Sequence, residues 1–224
     1  MPVKAILFDL DNTLIDFMAM KKAACNAAIS AMIENGLKIK KDDGMKILFR
    51  LYSKKGLEYQ KIFQLFLKEV NGKVDWKIMA PAIVAYKRVK EEYLYSYPRV
   101  LPTLRRLRKM GLKLAIVSDA PKVQVWTRLA AMGLHREWDI VLTRDDTKSY
   151  KMSKRPIMLA LKRLCVKAEE AMMVGDSIRR DLRPAKQLGL WTVLARYGQI
   201  KKEKGKADFE IDRIDELIGL VKAL

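Results

Sequence analysis

Short apolar runs that end in acidic or hydroxyl residues constrain this chain more than any other feature. VKAILF at 3–8 leads into Asp9 and Asp11, KLAIV at 113–117 into Ser118 and Asp119, and AMMVG at 171–175 into Asp176. Two more runs, WDIVLT at 138–143 and WTVLARYG at 191–198, complete the set with a short strand near 209–211. Helical periodicity fills the gaps at 100–109, 122–132, 156–164, 179–188 and 214–221, and Gly111, Gly133 and Gly189 stand where helices should end. Apolar strands alternating with helices specify a doubly wound, parallel α/β sheet buried on both faces.

One block breaks the alternation. Residues 17–95 show helical spacing at 17–35, 43–54, 57–70 and 75–95, punctuated by Gly36, Gly56 and Asn71-Gly72, with no convincing strand. Pro81 predicts a kink or a later start for the last of these helices. The expected organisation is an α/β core of residues 1–15 and 98–224, with an all-helical insertion of residues 16–97 after the first strand. Met18, Met20 and Met32 are expected to pack inside that insertion.

Composition narrows the class. Half of the 224 residues are apolar, too many for a disordered basic tail, although the formal charge is +19. No apolar run approaches the ~20 residues that span a bilayer, so no membrane partner is expected. The N-terminus carries acids directly after a short apolar run and does not read as a signal peptide. Cys25 and Cys165 match no metal or disulfide spacing, which points to a reducing cytoplasm. The positive charge favours anionic partners without choosing among phosphate esters, nucleic acid and a membrane surface. Its densest runs, at 105–109, 148–155 and 201–206, read as solvated faces.

Ligands of open parallel sheets bind beyond the carboxyl ends of the strands, where Asp9, Asp11, Asp119, Asp176 and Asp181 fall. Carboxylates held together repel unless a cation stands between them. A hard ion such as Mg²⁺ needs two or three of them and keeps its other positions for water. The single histidine, His135, cannot build a softer site. Magnesium beside basic residues suits phosphoryl transfer.

These residues resemble the haloacid dehalogenase-like (HAD) hydrolase superfamily. Asp9-Leu10-Asp11-Asn12-Thr13 matches its DxDx[TV] motif, Ser118 ends the second strand, and Gly175-Asp176 with Asp181 matches its acidic fourth motif. The helical insertion stands where the superfamily carries a helical cap that closes over substrate. The resemblance implies a Rossmann-like core and a Mg²⁺-dependent phosphatase. Asp9 would be the nucleophile and Asp11 the acid and base. Mg²⁺ would be held by the Asp9 carboxylate, the Asp11 backbone carbonyl and Asp176, with Asp181 in or near a second layer. Ser118, the Asp119 amide, and Asn12 and Thr13 of the first loop would bind the phosphoryl group. Members that cleave carbon–halogen bonds lack the second acid, so Asp11 argues against dehalogenation. The third motif, normally Lys-Pro, is altered here to Lys151-Met152; spacing from the following helix favours Lys151 over Lys154 as its lysine, which would balance the Asp9 charge and hold the phosphoryl group.

The layout is similar to archaeal members assigned to phosphoglycolate or glyceraldehyde 3-phosphate hydrolysis, so a small phosphorylated metabolite is the expected substrate. The alternative is a basic module that binds nucleic acid or acidic protein and keeps a vestigial site. KMSKR at 151–155 mimics a tRNA-synthetase signature, but no HIGH-type partner accompanies it.

Overall fold

The computed structural model describes residues 2–224. Its chain runs β1 (Ala5–Phe8), α1 (Phe17–Glu34), α2 (Lys41–Lys55), α3 (Ile62–Asn71), α4 (Trp76–Glu92), α5 (Val100–Lys109), β2 (Lys113–Val117), α6 (Lys122–Ala131) and β3 (Ile140–Leu142). It continues through α7 (Arg144–Thr147), α8 (Arg155–Leu164), β4 (Ala171–Gly175), α9 (Arg183–Lys186), β5 (Trp191–Ala195), β6 (Phe209–Ile211) and α10 (Leu217–Ala223).

All six strands join one parallel sheet in the order β3-β2-β1-β4-β5-β6. This is the Rossmann-like order, and its direction of winding reverses beside β1. Side chains alternate across the sheet. Ala5, Leu7, Ala115, Val117, Ala171 and Met173 share a core with Ile157, Ala160, Leu161 and Leu164 of α8. Ile6, Phe8, Leu114, Ile116, Met172 and Val174, on the alternate positions, are equally buried. Both faces are therefore covered, which explains why the strands read as continuous apolar runs.

The chain divides into two compact units. One comprises the chain up to Phe17 together with Tyr95–Leu224; the other is Met18–Leu94. The second unit is wholly helical and has its own core, in which Cys25, Ile29, Met32, Leu48, Phe66 and Met79 are buried. Met20 is also buried, while Met18 is half-exposed. Lys21, buried within this unit, donates to the Tyr86 hydroxyl at 2.9 Å and lies 4.3 Å over the Tyr52 ring.

Several boundaries differ from the sequence reading. The segment expected to be helical from residue 57 turns first, and α3 starts only at Ile62. Helix α4 starts at Trp76, capped by the Asp75 carboxylate, and runs on through Pro81. The helix expected over 179–188 is a π-turn, Ile178–Leu182, followed by one α-turn. None of the described helices is long and apolar enough to cross a membrane.

Candidate active site

The site is built at the end of β1, where the winding reverses. Asp9 extends the ladder for one residue, its amide donating to the Val174 carbonyl at 2.9 Å, and it is 4% exposed. The chain then folds back sharply: the Leu14 amide donates to the Leu10 carbonyl at 2.9 Å, and Asn12 takes a left-handed φ of 61°. Asparagine tolerates that region better than most residues. The turn is braced from the 3₁₀ turn that follows β5, because Tyr197 Oη donates to the Thr13 carbonyl at 2.8 Å. Gly198 meets the Asn12 carbonyl so closely that an added Cβ would lie 1.5 Å from its oxygen. Thr13 is wholly buried, with its hydroxyl unbonded.

Asp176 follows β4 and Asp181 lies in the π-turn; both are buried. The wide turn aims Asp181 back over the strand end, where Oδ2 accepts the Ser177 amide at 3.2 Å. Gly175 makes room for it, since a Cβ there would meet that same oxygen at 2.6 Å. One carboxylate oxygen from each of Asp9, Asp176 and Asp181 lies within 4.8 Å of the others. Asp181, expected in or near a second layer around the ion, shares this group while its two oxygens face Lys151 and the Ser177 amide.

Lys151 stands at the centre. It is 2% exposed, and Nζ lies 2.5 Å from Asp9 Oδ1 and 2.6 Å from Asp181 Oδ1. Burial alone would lower its pKa, but Asp181, Asp9 and Asp119 outweigh that and drive it upward. Lys154, the other candidate, is half-buried and forms the left-handed junction into α8, with φ 66°. Although Met152 replaces the expected proline, the loop is held. The Lys151 amide donates to Asp119 Oδ1 at 2.8 Å, and Lys151–Ser153 closes as a 3₁₀ turn. The Asp119 carboxylate thus holds the Lys151 loop, a role separate from the phosphoryl contact expected of its amide. Ser118 is buried beside it, its amide bonded to Leu142 and its hydroxyl accepting the Ala120 amide at 3.2 Å.

Charge in this cluster does not balance. Arg180 Nη2 is 3.3 Å from Asp176 Oδ1, so two cations face three buried carboxylates, with Asp119 nearby. Burial first, then Asp9 and Asp181, push Asp176 up to about 8, and burial raises Asp181 as well despite the opposing pull of Lys151. The residues present fit a bound hard divalent cation: they are all oxygen donors, close together and deficient in positive charge.

Asp11 lies apart from the cluster. Its carboxylate accepts from Arg128 Nη1 of α6, which is 2.9 Å from each oxygen. Arg128 is 1% exposed, and its guanidinium lies 4.6 Å from the centre of the Phe17 ring. Sequence reasoning had not singled out this arginine, though its phase was visible, because Val125, Arg128 and Leu129 form one buried stripe. Glu203, also unforeseen, comes from the basic run at 201–206. It accepts the Ser177 hydroxyl and the Arg179 amide, so that run anchors the turn after β4.

Comparisons with known proteins identify the family. The model of the haloacid dehalogenase-like hydrolases matches residues 3–189. A glyceraldehyde 3-phosphate phosphatase from Methanocaldococcus jannaschii is 37% identical, over 99% of this chain and 98% of its own. One from Methanopyrus kandleri is 35% identical, with the same coverage. A crystal structure of a HAD phosphatase from Thermococcus onnurineus covers 98% of both chains at 27% identity, with a TM-score of 0.67.

Proposed function

The chain belongs to the haloacid dehalogenase-like hydrolases and is a phosphatase of that family, and we propose that it hydrolyses a small phosphorylated metabolite of the glyceraldehyde 3-phosphate kind. The observation that carries this reading is the Asp9–Lys151–Asp181–Asp176 cluster at the reversal point of the sheet. The substrate class rests on relatives of that name at 29–37% identity.

In this reading Asp9 is the nucleophile. Lys151 engages Oδ1, and the second oxygen attacks phosphorus. As the Asp9–phosphorus bond forms, the ester P–O bond breaks, and the departing oxygen takes a proton from Asp11. The Asp11 carboxylate then accepts a proton from water. The water oxygen attacks phosphorus, the bond to Asp9 breaks, and inorganic phosphate leaves. Asp9, Asp176 and the Asp11 backbone carbonyl would hold Mg²⁺, with Asp181 alongside. When bound, the ion would neutralise phosphoryl charge. Ser118, the Asp119 amide and the loop of Asn12 and Thr13 would bind phosphoryl oxygens. Two free cysteines, Cys25 and Cys165, fit a cytoplasmic location.

The test is phosphate release from glyceraldehyde 3-phosphate, phosphoglycolate and a panel of other esters, with Mg²⁺ and after chelation. Wild type should turn over a triose phosphate, and Asp9→Asn should lose at least about 10⁴-fold in kcat, as when a nucleophile is removed. Acid-quenched wild type should carry phosphate on Asp9. Equal, slow hydrolysis by both proteins would overturn the reading.

A further inference from the structure

Among the described residues, Arg128 heads the fully buried side chains by volume. Its neighbours in the buried stripe of α6 are Val125 and Leu129, and an aliphatic residue would suit that stripe without the cost of burying a charge. An arginine stays protonated in a protein, so the charge must be matched where it sits. It is matched by Asp11, through one nitrogen 2.9 Å from both carboxylate oxygens. Behind the guanidinium lies the face of Phe17, 4.6 Å away, a stacking partner that limits its movement.

We propose that Arg128 is a positioning residue for the hydrolysis: it clamps Asp11 from both oxygens and keeps the acid–base group in one orientation, out of the neighbouring carboxylate cluster. The proposal rests on the reading of Asp11 as proton donor and acceptor. That reading makes an unusual demand on one side chain. Asp11 must give its proton to the departing ester oxygen and later take one from the water that splits the Asp9–phosphate bond. It must therefore stand in the same place in both half-reactions. The Asp11 side chain is 21% exposed, open enough to swing away if nothing held it. It also lies two residues from Asp9, where an unheld carboxylate could join Asp9, Asp176 and Asp181 around a cation. The two buried cations divide the acids between them: Lys151 takes Asp9 and Asp181, and Arg128 takes Asp11.

The test is a double-variant cycle of Arg128→Met and Asp11→Asn in the full-length protein. It is read with glyceraldehyde 3-phosphate and with p-nitrophenyl phosphate, whose leaving group departs without needing a proton. Arg128→Met should lower kcat on the triose phosphate about 100-fold, the scale of a displaced catalytic group, with KM changed less than about threefold. With p-nitrophenyl phosphate the first turnover should survive as a burst while later turnovers slow, because only the water step still needs Asp11. In the Asp11→Asn background, Arg128→Met should add less than about threefold, since it acts through a group already removed. Arg128→Lys, which keeps the cation, should show a smaller loss and the same non-additivity, and it carries the cycle if the Met variant does not fold. An unchanged kcat, a rise in KM alone, or a full multiplicative loss in the Asp11→Asn background would overturn the proposal while leaving the phosphatase reading intact. Wild-type activity of Asp11→Asn itself would instead remove the acid–base reading, and the proposal with it.

Discussion

Two buried centres meet at the end of β1, and they are built on opposite plans. Around Lys151, negative charge exceeds positive: Asp9, Asp176 and Asp181 face one buried ammonium and the half-exposed Arg180. The surplus pushes Asp176 up to about 8 through burial and the charges of Asp9 and Asp181. Around Arg128, a guanidinium holds the Asp11 carboxylate by both oxygens, and the cation is the more buried partner. The difference teaches what each centre needs. On the proposed reading the first is completed when another cation arrives, and the second serves to keep a side chain still.

The largest effect that tests this contrast is expected from Lys151→Met. Without metal it leaves Asp9 and Asp181 buried and unneutralised, and should cost about 3–5 kcal/mol in urea unfolding. Lys154→Met, three residues on and half-buried, should stay within about 0.5 kcal/mol. If the first centre lacks positive charge, Mg²⁺ should raise the unfolding midpoint of Lys151→Met more than that of wild type. Equal losses in the two variants would break the distinction.

A smaller effect is expected from Gly175→Ala. The new Cβ would fall 2.6–2.8 Å from the Asp181 carboxylate group, and the side chain would have to move off the strand end. We expect a cost of about 1–3 kcal/mol, typical of overpacking, together with a higher Mg²⁺ concentration for half-maximal activity. The Asp11–Arg128 centre makes no use of this glycine. The Arg128 cycle should therefore give the same non-additivity in a Gly175→Ala background.

The two centres were also unequally legible. The acids of the first announce themselves because each follows an apolar run, and a parallel sheet directs every strand end to one rim. Asp9 and Asp176 stand out in that way, whereas Lys151 follows no strand and is reached only through the spacing of the third motif, with Lys154 as its rival. What spacing could not supply was the backbone of the turn after β4. A helical pattern over 179–188 conceals a π-turn, in which the Leu182 amide reaches the Ser177 carbonyl five residues back. That widening carries Asp181 over Gly175. Arg128 escaped for another reason. A lysine- and arginine-rich chain makes each basic residue look solvated, and only the phase of Arg128 with Val125 and Leu129 marks it as inward. Glu203 is the lone acid in its basic run, a signal of the same kind.

The smallest predicted effect concerns the loop that presents Lys151. A proline after the lysine would have fixed the backbone there; in its place stand Met152 and a hydrogen bond from the Lys151 amide to Asp119 Oδ1, 2.8 Å long. The turn has its own closure, through the Lys154 amide on the Lys151 carbonyl at 2.9 Å and the Ser153 amide on the Tyr150 carbonyl at 3.0 Å. The ammonium is still drawn by Asp9 and Asp181. Asp119→Ala therefore removes one anchor of several, and should cost about 1 kcal/mol of stability, with kcat reduced up to about tenfold. Asp119→Asn, which keeps an acceptor, should lose less. Combined with Arg128→Met, Asp119→Ala should multiply rather than overlap in its effect on kcat, because its influence passes to Asp9 through Lys151 and the other to the substrate through Asp11. A strongly non-multiplicative result would mean that the two centres share one adjustable backbone, the turn from Asp9 to Thr13, and that the division of acids between Lys151 and Arg128 is a property of that turn.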